Sequence, residues 1–190
     1  PDSCLLLPAS PEAEFALHEA LALLSGWTGA VLTGAAEAGR LLEPAWLVLA
    51  PDAAGALRVA AGAVCFPSSW SLPEKAGLRV SEVHSVVPAL NEALAGRIDT
   101  FLSRLNAGVA WERENWGLSA HPELDHHPRH RRPALNEQAT PATTWLRLER
   151  QLFARLPGGG VLFAIRVSSH RLEELCTLQG LAPRLARALA

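Results

Sequence analysis

The 190-residue sequence contains no methionine and no tyrosine. It therefore offers no thioether or phenolate ligand to a metal. Cysteine is scarce: Cys4, Cys65 and Cys176 are far apart and odd in number. That count argues against a disulfide framework and predicts a reducing, cytoplasmic setting. Long hydrophobic runs are missing too, since Gly, Pro or charge interrupts every apolar stretch. No membrane helix is expected. The opening "PDSCLLLPAS" is apolar but lacks the basic flank and the length of a signal peptide. Neither sign of charge is in excess, with 17 basic against 19 acidic residues and a net charge of −2. No global field is left to hold nucleic acid or an anionic membrane, so a small or neutral partner fits better.

Familiar motifs are also absent. "PGGGVLF" is Gly-rich but lacks the Lys-Ser/Thr of a phosphate loop, and it reads as a hairpin turn. Without a Gly-x-Ser-x-Gly elbow or a Cys-x-x-Cys pair, hydrolase and zinc-ribbon readings have no support.

The hydrophobic fraction is 49% and the charged fraction 19%, as expected for one globular domain over residues 1–190. "SPEAEFALHEALALLSG" predicts a helix, with Ser10 as N-cap, Pro11 in the first turn, Glu12 and Glu14 at the positive end, a stripe of Phe15, Leu17, Leu21 and Leu24, and Gly26 as the stop. "GAVLTG", "AWLVLAP" and "ALRVAAGAVCFP" predict short extended segments, the last two hairpin-linked by "PDAAG". "PALNEALAGRIDTFLSRLNAG" predicts a second helix, with Leu90, Leu94, Ile98, Phe101, Leu102 and Leu105 inward and Gly108 at its end. Strands follow at "VAWERENWGLS", "TTWLRLERQLFARL" and "GGVLFAIRVS", and a helix or helix pair closes the chain. The expected class is α+β, a mainly antiparallel sheet with flanking helices.

Four places could carry chemistry. In "HPELDHHPRHRRP", His121, His126, His127 and His130 stand beside Arg129, Arg131 and Arg132, but Pro122, Pro128 and Pro133 forbid a regular helical metal site. The ordinary reading is a solvated loop; the functional one is a cover whose arginines pair with carboxylates of a bound cofactor. Strand alternation puts Trp145, Arg147, Glu149 and Gln151 on one face and Leu146, Leu148 and Leu152 on the other. That polar stripe is either a solvent-facing surface or a pocket wall whose carboxylate needs a cationic partner. In "WERENWGL", Trp111, Arg113 and Asn115 share one face, with Glu112, Glu114 and Trp116 opposite. The tryptophans read first as core, while Arg113 could cap a flat aromatic ligand or bind its acid group. Finally, "VSEVHSVVPAL" sets His84 alone among valines, ordinarily a core histidine and otherwise a ligand.

Three blocks occur in order: "FPSSWSLPEKAGLRVSEVHSVVP", "RIDTFLSRLNAGVAWERENWGL" and "TTWLRLERQLFARLPGGGVLFAIRV". Over roughly residues 60–170 they resemble the catalytic (alpha) subunit of the haem-dependent oxidative N-demethylase family. The resemblance implies a PAS-like domain holding haem b and its iron through a histidine, placed here on His84. It implies oxidation of a small secondary amine, dimethylamine-like, by O2 to a primary amine and formaldehyde. Electrons would come from NADPH through partner reductase subunits carrying flavin and iron–sulfur centres, for which this chain has no motif. If a haem is present, composition points the same way: Met and Tyr are missing, Cys65 sits in an apolar strand that disfavours a thiolate, and no Cys-x-x-Cys-His occurs. An ammonium substrate calls for a carboxylate, for which Glu149 is the candidate, balanced by Arg147. Arg113, Arg150, Arg147 and Trp116 are candidates for cofactor contacts. The sequence departs from the family in looking shorter at both ends, in "VHSVVP" where "IH.PVP" is expected, and in lacking tyrosine. The competing readings are a haem-binding sensor or carrier without turnover, and an interaction domain with His84 in its core.

Overall fold

Ser10 starts the first helix. Its hydroxyl accepts from the Ala13 amide at 3.2 Å and caps α1 (Pro11–Thr28). The computed structural model describes residues 4–83 and 90–189, and of residues 90–95 and 189 the backbone alone. Gly26 lies inside α1, and the helix ends instead at Gly29 (φ 71°), whose amide returns to the Ser25 carbonyl. The buried stripe is Ala13, Ala16, Leu17, Ala20, Leu21 and Leu24. Phe15, expected in that stripe, is 59% exposed.

"GAVLTG" forms no strand. Its backbone donors go to side chains: Leu32 N to Ser25 Oγ at 3.1 Å and Thr33 N to Glu37 Oε2 at 2.8 Å. The second contact fastens the start of α2 (Ala35–Leu41), an element the sequence reading did not anticipate.

The remaining elements in chain order are β1 (Leu5–Leu6), β2 (Ala45–Pro51), β3 (Leu57–Ala63), α3 (Val80–Val83), α4 (Leu90–Ser103), β4 (Ala110–Ser119), β5 (Trp145–Arg155), β6 (Val161–Arg171), α5 (Leu172–Cys176) and α6 (Leu181–Leu189). The strands form one six-stranded sheet in the order β1-β3-β2-β6-β5-β4, with antiparallel pairing throughout. "PGGG" is the β5–β6 turn, closed by Leu156 N to Gly160 O at 2.9 Å and tied to α1 by Gly158 N to Glu19 Oε1 at 2.8 Å.

Strand alternation divides the core. Trp46, Val48, Ala154 and Leu162 face α1 and α2, packing with Leu17, Leu21, Leu24 and Ala38. Leu47, Leu49, Val59, Phe153 and Val161 face the other way, against Leu72, Val80, Val83, Ile98, Leu102 and Leu105. Gly62 permits a close crossing between β3 and β2: at φ 154°, a Cβ there would stand 2.5 Å from the Trp46 carbonyl oxygen.

Candidate functional site

The β4–β5 register places Asn115 opposite Glu149, Arg113 opposite Gln151 and Trp111 opposite Phe153. Residues opposite each other on antiparallel strands share a face. Phe153 belongs to the core cluster that includes α4, so this polar set lies on the α4 side of the sheet.

Arg147 is nearly enclosed, with 8% of its side chain exposed. Its Nη2 donates to the Phe66 carbonyl at 2.9 Å, Nη1 to the Leu124 carbonyl at 2.7 Å, and Nε to Ser68 Oγ at 3.2 Å. The guanidinium thus clamps two irregular segments, around 66–68 and 123–126, onto β5. Burial lowers its pKa, and the nearby Glu149 and Asp125 carboxylates oppose that shift.

Glu149 lies beside the clamp, its side chain 12% exposed and its Oε1 3.8 Å from Arg147 Nε. It accepts from Ser68 Oγ, from Gln151 Nε2 at 2.9 Å and from Asn115 Nδ2 at 3.5 Å. Arg113 Nε donates to Gln151 Oε1 at 2.7 Å, so the Gln151 amide joins a surface cation to an enclosed carboxylate. Arg113 also stands 5.6 Å from the Phe153 ring centroid, and its terminal nitrogens make no hydrogen bond or ion pair among the described residues. Beside it runs an aromatic ledge in which Phe101 meets Phe153 edge-on at 5.4 Å and Trp111 at 6.2 Å. Trp111, expected to be core, is 51% exposed.

The family comparison matches residues 35–190 to "Haem-dependent oxidative N-demethylase, alpha subunit-like". The chain belongs to that family.

In this demethylase-like chain the sheet face has features that suit a haem. An exposed aromatic ledge gives a macrocycle apolar contact, and Arg113 beside it has donors free for a propionate. Arg150 and Trp116 lie on the other face of the sheet. Arg150 Nε pairs with Glu112 Oε1 at 2.9 Å, and Trp116 stands opposite Leu148. The structure therefore brings Arg147, Glu149 and Arg113 together and leaves those two apart. His84 lies outside the described residues; Val83, which precedes it, packs against the α4-side cluster. Burial, with Cys4 beside it, pushes the Cys65 thiol up.

The His-rich segment is folded back onto the site rather than free in solvent. His126 N donates to the Pro67 carbonyl at 3.0 Å and Ser69 N to the His126 carbonyl at 3.1 Å. Two of its arginines meet the loop's own acids: Arg132 Nη1 lies 3.1 Å from Glu123 Oε2 and Arg129 Nη2 3.1 Å from Asp125 Oδ2. Burial, and then the charge of Arg147, lower the His126 pKa to about 4. Among the described residues no group of three or more His, Cys, Asp or Glu is arranged to hold a metal ion. Ser68, Phe66 and Leu124 escaped the sequence reading. Two of them contribute only carbonyls, and a serine between Pro67 and Trp70 carries no signal beyond that of a loop.

Proposed function

We propose that this chain is a PAS-like haem b subunit for oxidative N-demethylation of a small secondary amine such as dimethylamine. Primary amine and formaldehyde are the products, and O2 and NADPH-derived electrons arrive through separate flavin and iron–sulfur partners. The family match over residues 35–190 carries this reading. His84 is the proposed axial ligand, and Arg113 the proposed propionate partner.

Bound haem would supply oxygen activation and the oxidation of the N-methyl group. The chain's own residues position the substrate. Glu149 is fixed by Ser68, Gln151 and Asn115, so its carboxylate can hold an ammonium without first reorganising. The same carboxylate is the candidate acceptor for the amine proton. Arg147 has its donors committed to Phe66, Leu124 and Ser68, so it acts by holding Ser68 and Glu149 in place.

A haem sensor or carrier without turnover is the second reading. The observation favouring it is that protein donors already occupy Glu149. An absorption spectrum and a formaldehyde assay separate the two. A Soret band that is lost or shifted in His84→Ala supports the haem ligand, and an unchanged band removes it. Reduced protein with dimethylamine and O2 should release formaldehyde, and Glu149→Gln should abolish that release while keeping the band. Full turnover in Glu149→Gln overturns the role of that carboxylate.

A further inference from the structure

A cavity of about 370 Å³ opens where β4 ends against the His-rich segment. Its polar lining is Ser69, Ser119, His121, His126, His130 and Arg132, with no carboxylate among the lining residues. We propose that this cavity is a binding site for a small oxyanion, a carboxylate or phosphate group, distinct from the face that carries Glu149.

Unmet donors are the first argument. Among the described residues, two buried side-chain nitrogens of this segment, His127 Nε2 and Arg132 Nε, have no hydrogen-bond partner. Native interiors leave few such groups, and each calls for an explanation. His121 and Arg132 line the cavity. Glu123 lies 2.8 Å from His121 Nδ1 and 3.1 Å from Arg132 Nη1, and Asp125 lies 3.0 Å from His130 Nε2, so Arg132 Nε is the lining donor left over. Arg132 Nε–H can only donate, so a bound group that satisfies it must bring acceptor oxygens.

Size and field agree. The cavity far exceeds the ~30 Å³ of one water, so it has room for a small molecule. The charges that face His126 are Arg147 from β5 and His121 and Arg132 from its own loop. After burial, all three disfavour a proton on that ring, while the Glu123 and Asp125 carboxylates are each held by cations of the same loop. Ser68 and Ser69 divide the two sites: Ser68 bonds Arg147 and Glu149, while Ser69, at φ 64°, lines the cavity.

The test is titration of the haem-free full chain with inorganic phosphate and, separately, acetate, following the ring protons of His121, His126 and His130 by NMR. Saturable shifts at these rings are expected. Arg132→Gln should weaken binding about tenfold, the scale of one charge-assisted hydrogen bond. Arg131→Gln, at an exposed position outside the lining, should change it less than about threefold. His130→Gln leaves the Arg132–Glu123 pair in place and guards against misfolding of the first variant; it too should weaken binding. Absence of saturable shifts overturns the inference, and so does equal loss in Arg131→Gln and Arg132→Gln, which marks diffuse loop charge. Repeating the titration with haem-loaded protein separates the sources. Unchanged affinity identifies a free anion, and lost affinity identifies a carboxylate of the haem itself. The haem-free titration does not depend on the demethylase reading, so either can fail alone.

Discussion

Ser68, 81 positions before Glu149 in the chain, donates its hydroxyl to the Oε1 of that carboxylate while accepting from Arg147 Nε at 3.2 Å. One serine on an irregular segment thus joins the charged pair of β5. Ser68→Ala should cost about 1–2 kcal/mol, because it leaves Arg147 Nε enclosed without its acceptor. Arg147→Ala should cost more, about 3–5 kcal/mol, by leaving two carbonyls and Glu149 without their donor. Arg147→Lys should recover only part of this, since an ammonium lacks the fork that reaches Phe66, Leu124 and Ser68 together. Urea midpoints of the three variants check the order, and an Arg147→Lys midpoint equal to wild type would contradict the clamp.

His126 makes stability depend on pH. Its pKa falls from 6.5 to about 4 on folding, through burial first, then Arg147 and His121, with Arg132 adding a smaller push and the Glu123 carbonyl opposing. Between these values the unfolded chain binds a proton that the folded chain refuses. Stability is therefore lost as pH drops from about 6.5 towards 4 and is fully present above that window. Unfolding midpoints measured across this range should slope downward toward acid in wild type and less steeply in His126→Asn. Equal slopes would count against the depressed value.

Much of this arrangement was legible along single strands. Arg147, Glu149 and Gln151 alternate through one strand, and period-two geometry fixes their common face whatever packs on it. The N-cap at Ser10 was legible for the same local reason. What joins Arg147 to Ser68, Phe66 and Leu124 spans roughly 20 to 80 positions and ends largely on carbonyls, which every residue carries. The valine and leucine of "GAVLTG" look extended, whereas the side chains of Ser25 and Glu37, not a neighbouring strand, accept the Leu32 and Thr33 amides ahead of α2.

Gly26 and Gly62 should respond oppositely to alanine. At Gly26, inside α1, no atom lies within 4 Å of an added Cβ. Gly26→Ala should stabilise by about 0.5–1 kcal/mol, from helix propensity and a less flexible unfolded chain. At Gly62 the added Cβ would meet the Trp46 carbonyl at 2.5 Å and the Leu47 Cα at 2.7 Å, on a φ of 154°. Gly62→Ala should destabilise by about 2–3 kcal/mol or more, since the β2 backbone opposite must yield where Leu47 pairs with Gly62. Thermal melts of both variants check the signs.

Arg113 and Arg150 offer the sharpest contrast for the proposed haem face. They are one register position apart on paired strands, Arg113 opposite Gln151 and Arg150 opposite Glu114, and so lie on opposite sides of the sheet. Arg113 has terminal nitrogens free beside the Phe101–Trp111 ledge, whereas Arg150 is paired with Glu112. If a propionate is held on the α4 side, Arg113→Gln should weaken haem binding about fivefold to tenfold, the loss of one charge-assisted hydrogen bond. Arg150→Gln should leave haem binding unchanged and stability nearly so, since its ion pair with Glu112 is exposed and solvent-screened. Spectral titration of each apo variant with haem measures both. A larger loss in Arg150→Gln than in Arg113→Gln would move the cofactor to the opposite face of the sheet, away from Glu149.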